Sequence, residues 1–93
     1  MSKIKVLAVK DHKVGIFMKP VFDLHLGSAI RSFEDACSGE SNFSRHPNDY
    51  SLFELGEFDQ LTGVFTQLDV PNLLISARQC VDSKSNVQPE LKM

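Results

Sequence analysis

Apolar and polar residues alternate with period two at the start of the chain. Ile4, Val6 and Ala8 fall on one side of an extended segment over residues 3–10, and Leu7 and Val9 fall on the other beside Lys3 and Lys5. A strand that is apolar on both faces at one end is expected inside a sheet. Asp11-His12-Lys13-Val14-Gly15 reads as a turn, with Gly15 able to take a positive φ. Ile16 to Phe22 reads as a second strand, joined to the first as an antiparallel hairpin. Pro20 lacks an amide donor, so this strand lies at an edge, ends early or bulges.

The period then changes. Leu26, Ala29, Ile30, Phe33 and Cys37 recur at three- and four-residue steps, which predicts a helix over about residues 25–38. Asp23 or Ser28 is expected to cap its start, and Gly39 to stop it in a left-handed conformation. Residues 39–49 read as a polar loop pinned by Phe43, with a turn or a single helical turn starting at Pro47. Tyr50 to Phe58 reads as a third strand, in which Gly56 marks a bulge or a close backbone approach. Asp59 to Gly63 is a hairpin loop, Val64 to Leu68 a fourth strand, and Asp69-Val70-Pro71-Asn72 a break. Leu73 to Ala77 reads as a fifth short strand. Residues 82–93 hold few apolar side chains and read as a flexible tail. The expected fold class is α+β: one domain over residues 1–81, a mostly antiparallel sheet of four to five strands in the order β-β-α-β-β-β. One helix covers one face of that sheet and leaves the other open.

Total composition adds limits more than detail. A chain of 93 residues, 42% hydrophobic, can bury one core. A formal net charge of -2 excludes a peptide that condenses DNA by charge alone. No apolar run approaches the roughly 18 residues that span a bilayer, and the lysine-cut N-terminal stretch is too short for a secretory signal. A cytosolic protein without a membrane partner is therefore expected. Cys37 and Cys80 are too few for a disulfide framework, although a single bridge between them stays open.

The distribution of charge is more informative. Residues 1–22 carry Lys3, Lys5, Lys10, Lys13 and Lys19 against Asp11 alone, a net +4, whereas residues 23–93 sum to -6. A basic hairpin on an acidic body can mark an anion-binding face. Lysines also keep a hairpin soluble and blunt its edge. Single-strand binders combine a basic track with aromatic platforms, and Phe17 lies between Lys13 and Lys19. Lys3 and Lys5 share one side of the first strand, and Phe17 and Lys19 one side of the second. If those sides coincide, a lysine–aromatic surface results. On these residues alone, a core Phe17 with solvating lysines is the simpler account.

Other chemistry finds little support. His12, His25, His46, Cys37 and Cys80 show no zinc-ligand spacing, so no metal is expected. Glu57 and Asp59 point the same way on a strand, but Asp59 is better placed to bond a backbone amide in its own loop. There is no nucleophile elbow, phosphate loop or dinucleotide fingerprint, so neither an enzyme nor a cofactor is expected.

Three segments look familiar together: Lys3 to Asp11, Ser28-Ala29-Ile30-Arg31-Ser32-Phe33, and His46-Pro47-Asn48-Asp49-Tyr50 through Gly56-Glu57-Phe58-Asp59 to Thr62-Gly63. Their order and spacing resemble the small nonstructural protein of gokushoviruses, single-stranded DNA phages of the Microviridae, the chlamydia-infecting members above all. The resemblance runs from residue 3 to about residue 78. It implies a protein of the infected bacterial cytoplasm, absent from the mature capsid, that serves genome replication. The role is either DNA binding or help in the switch to single-strand synthesis, by analogy with protein C of related microviruses. No catalytic residues come with it. Arg31 stands among the apolar helix positions and is placed to contact phosphate or to pair with Asp35. The candidate nucleic-acid contacts are thus Lys3, Lys5, Lys10, Lys13, Phe17, Lys19 and Arg31, with single-stranded DNA as partner. The alternative is an interaction module that pairs with a second copy or with a replication or host protein.

Overall fold

The computed structural model describes residues 2–82. Strand β1 (Lys3–Asp11) is followed by two short strands, β2 (Ile16–Phe17) and β3 (Val21–Asp23). Helix α1 (Leu26–Ser38), a short helix α2 (Asn42–Arg45), β4 (Tyr50–Asp59) and β5 (Phe65–Ser76) complete the order. The sheet runs β2-β1-β4-β5, with β3 also paired to β1, and every pairing is antiparallel. β1 is interior, as its two-sided apolar pattern requires.

The second expected strand is divided at Met18-Lys19-Pro20, where proline interrupts the ladder. Both halves still run along the free edge of β1: Lys10 faces Phe17, and Val6 faces Phe22. The expected fourth and fifth strands are instead one extended segment, β5. Its pairing with β4 slips between Glu54 opposite Asn72 and Gly56 opposite Gln67, so the expected break at Asp69–Asn72 survives as a bulge. Five strands therefore form, divided differently along the chain.

The turn glycines behave as expected. Gly15 and Gly63 have φ of 75° and 76°, while a Cβ on Gly56 would lie 3.1 Å from the Cα of Gln67. Gly39 does not: its φ of -107° is extended, because the chain passes directly into the cap of α2. Ser41 accepts from the Ser44 amide and Ser44 Oγ accepts from the Ser41 amide, a capping box inside the segment expected to be loop. The start of α1 is capped by neither expected residue. His25 holds the cap position without a side-chain bond, Ser28 lies inside the helix, and Asp23 accepts from the His25 amide at 3.4 Å.

α1 buries Ala29, Phe33 and Cys37 against Leu7 and Leu52 of the sheet. Residues 77–82 are helical, and Ala77 and Cys80 close the same core. The expected tail over residues 82–93 lies outside the described residues except for Asp82, which is helical and pairs with Arg78 at 3.4 Å. Phe43 does anchor its segment, with its ring 5.4 Å from Phe33 and 4.9 Å from Tyr50. All of this packing lies on one side of the sheet. No helix among the described residues is long and apolar enough to cross a membrane.

Candidate functional site

Strand parity sorts the basic residues of the first hairpin. Lys3, Lys5, Leu7 and Val9 share one side of β1, and Leu7 and Val9 face the helix-side core. Ile4, Val6, Ala8 and Lys10 share the other side. The lysines therefore divide, and Lys3 and Lys5 do not join Phe17.

On the helix side, beyond the end of α1, acids match the lysines. Lys3 is in register with Asp59, and Lys5 with Glu57 and Asp23. Lys5 Nζ donates to Glu57 at 2.9 Å and lies 4.0 Å from Glu54. This hydrogen bond holds Lys5 above the ordinary lysine value, against the opposing effect of burial. It holds Glu57 below the ordinary carboxylate range. Asp59 is also lowered, first by the Leu61 amide that donates to it at 2.9 Å, which is the turn role expected of it. Lys5 and Glu57 are 29% and 35% exposed, so solvent screening keeps the net contribution of the pair small.

The pH dependence follows from these directions. The contribution of the lowered carboxylates is present above their unfolded-state values, near pH 4, and is lost as pH falls through the lower folded-state values. That of Lys5 is complete below about pH 10 and fades as pH rises through its raised value. Glu57→Gln is expected to flatten the stability curve below about pH 4 in acid titration followed by circular dichroism. Identical acid limbs for the variant and the parent chain would remove the pair from this account.

The side that no helix among the described residues covers is different in kind. Phe17 packs edge-on against Phe53 with ring centroids 5.5 Å apart, and Lys10 Nζ stands 5.4 Å from the Phe17 centroid. His12 extends this group: its ring is 6.1 Å from Phe53, and Nε2 lies 3.0 Å from Ser51 Oγ. Further along the same face stand Phe22, Phe58 and Phe65. A cleft of about 470 Å³ lies on this face, lined by Val6, Phe17, Met18, Pro20, Leu55 and Phe65 among others. Lys19 lies between Met18 and Pro20, and Lys13 lies in the exposed turn at the end of the hairpin. Among the described residues, neither these two nor Lys10 forms an ion pair with an acid, unlike Lys5.

Arg31 lies away from both groups. It is exposed on α1, in a shallow polar groove with Gly27, Ser28, Ser32 and Asp35, and it forms no ion pair with Asp35. Of the seven candidate contacts, the structure brings Lys10 and Phe17 together, puts Lys13 and Lys19 in the adjoining segments, and separates Lys3, Lys5 and Arg31.

Four aromatic members of the open face were not among the sequence candidates: Phe22, Phe53, Phe58 and Phe65. One signal for them was available. Phe58 lies at one end of the expected hairpin loop and Phe65 one residue beyond the other, which places them near each other; the register then sets them directly opposite. Among the described residues, no group of three or more histidines, cysteines or carboxylates is placed to hold a metal ion.

A family model described as Phage ORF5 protein matches residues 4–80. No curated protein and no solved structure matches the chain.

Proposed function

The chain belongs to the Phage ORF5 protein family, and from that premise we propose a non-enzymatic accessory role in replication of a single-stranded DNA phage, exercised by binding DNA. The phage group is the gokushoviruses of the Microviridae, and the place of action is the cytoplasm of the infected bacterium. The observation that carries this reading is the Lys10 ammonium 5.4 Å from the Phe17 ring on an uncovered sheet face. A cation over a half-buried ring at the sheet surface suits a chain that alternates phosphates with flat bases.

The DNA-facing charge in this reading is Lys10, Lys13 and Lys19. Lys5 does not serve it, because Glu54 and Glu57 hold its ammonium, and Lys3 lies beside it on that opposite face, in register with Asp59. Replacing Lys10, Lys13 and Lys19 together by Gln is expected to reduce the slope of log affinity against log salt by about 2 for a single strand. Replacing Lys3 and Lys5 is expected to leave that slope unchanged. Fluorescence anisotropy over a salt series reads both effects. Absence of oligonucleotide binding by the parent chain at low salt overturns the reading.

An interaction module is the alternative, favoured by the exposed apolar residues Val70 and Leu73 on the edge strand β5. In that case light scattering reports a dimer, or a viral or host protein co-purifies, and oligonucleotides do not bind.

A further inference from the structure

Three phenylalanines meet on the open face, and two of them, Phe22 and Phe65, remain largely exposed while Phe58 is half-buried between them. Phe22, Phe58 and Phe65 come from β3, β4 and β5 and converge, with centroids 4.7 Å apart for Phe58 and Phe65 and 5.9 Å for Phe22 and Phe58. Yet Phe22 is 50% and Phe65 63% exposed. A ring that only held the fold would be covered as Phe33 is; Phe22 and Phe65 pack at tilted angles beside Phe58 and still leave area facing water.

The strand register locates this group relative to the first. Phe53 is opposite Ala8 and Phe58 is opposite Ile4. Four residues of strand separate them, about 13 Å along the sheet. The apolar cleft lies in the same stretch, bordered by Phe17 from one group and Phe65 from the other. The face therefore carries ring, cleft and ring in sequence, with Lys10 at one end and the Lys19 segment along the cleft.

That order matches one kind of occupant better than another. A second copy of the chain would cover the rings but would bring further lysines towards the same face. A nucleic-acid strand supplies flat apolar groups and negative charge together. Resting on the DNA-binding reading above, we infer that the open sheet face is a base-stacking platform, in which Phe17 with Phe53 and Phe22 with Phe58 and Phe65 stack bases of one strand across the cleft. Every base presents a π-face, so the platform tolerates any sequence. A four-stranded sheet with aromatics on its open face and helices behind it is an established geometry for single-strand recognition.

The experiment compares two labelled strands of about 12 units, one of thymidylates and one abasic with the same sugar–phosphate chain. Binding is read by anisotropy at one low salt concentration, with light scattering in parallel. The parent chain is expected to prefer the base-bearing strand by roughly tenfold or more. Phe65→Ala is expected to lose roughly 5- to 150-fold in affinity for that strand. Phe65→Tyr, which keeps the ring, retains it. Both variants replace an exposed side chain, so circular dichroism is unchanged and the thermal midpoint shifts by no more than a few degrees. Equal binding of the two strands overturns the platform and leaves the electrostatic reading standing. Binding of neither overturns both. Self-association that Phe65→Ala abolishes, with unchanged oligonucleotide affinity, assigns the face to a second copy and overturns the platform.

Discussion

Replacing Phe33 by alanine is expected to cost about 3–5 kcal/mol of folding stability. The ring is 4% exposed and lies in the core with Leu7, Ala29, Cys37 and Leu52, with Phe43 at 5.4 Å. Nothing around it can collapse freely, because the sheet below is a fixed ladder and α2 is held by its own capping box. A small domain has about 5–15 kcal/mol in total, so the variant is expected to sit near its unfolding midpoint at physiological temperature. Urea denaturation followed by circular dichroism measures the loss. The comparison with Phe65→Ala makes the result diagnostic. That substitution removes the same ring from a site that is 63% exposed and is expected to change stability by no more than about 0.5 kcal/mol. Similar losses for the two variants would mean that the open face is a structural core and not a binding surface. A Phe33 loss below about 1 kcal/mol would mean that α1 does not hold the sheet.

Gly56→Ala is expected to be the most disruptive change of a single methyl group. The bulge around Leu55 brings the backbone of β5 across Gly56, where an added Cβ meets the Thr66 carbonyl oxygen and lies 3.1 Å from the Cα of Gln67. These are backbone atoms, so no side chain can rotate aside. Relief requires β5 to move away. The expected cost is about 1–3 kcal/mol, and Gly56→Val should exceed it. The loss should be local before it is global. Glu57 opposite Thr66 and Phe58 opposite Phe65 lie just beyond the clash, so amide exchange should quicken first across that hairpin. Parting Phe58 from Phe65 would also dismantle the second aromatic group, so oligonucleotide affinity should fall with the hairpin. Unchanged exchange between Thr66 and Leu68 in Gly56→Ala would show that the two strands do not approach as described.

Local chemistry carried a large share of the fold. Glycine takes the positive φ of Gly15 and Gly63 at least cost, the missing amide of Pro20 interrupts the ladder at the second strand, and the apolar period from Leu26 to Cys37 is that of a helix. Asp59 bonds an amide two residues away, so its role was also local. Gly39 and the helical residues 77–82 were not legible in this way. The first depends on how α2 caps itself, and the second on Ala77 and Cys80 reaching a core built by residues far earlier in the chain.

The candidate site divides along the same line. The sequence by itself determined that a net +4 hairpin exists and that Lys3 and Lys5 share one side of a strand. Only the tertiary structure decided what those lysines face. Lys5 meets Glu57, 52 positions away, while Lys10 meets Phe17 across the hairpin, on the opposite side of the sheet. Periodicity assigns a residue to a side of its own strand, because successive side chains alternate. It says nothing about which strand lies alongside or in what register. Neutralisation of a charge, or the meeting of Phe22, Phe58 and Phe65, is a property of that register and so appears only when the sheet is assembled.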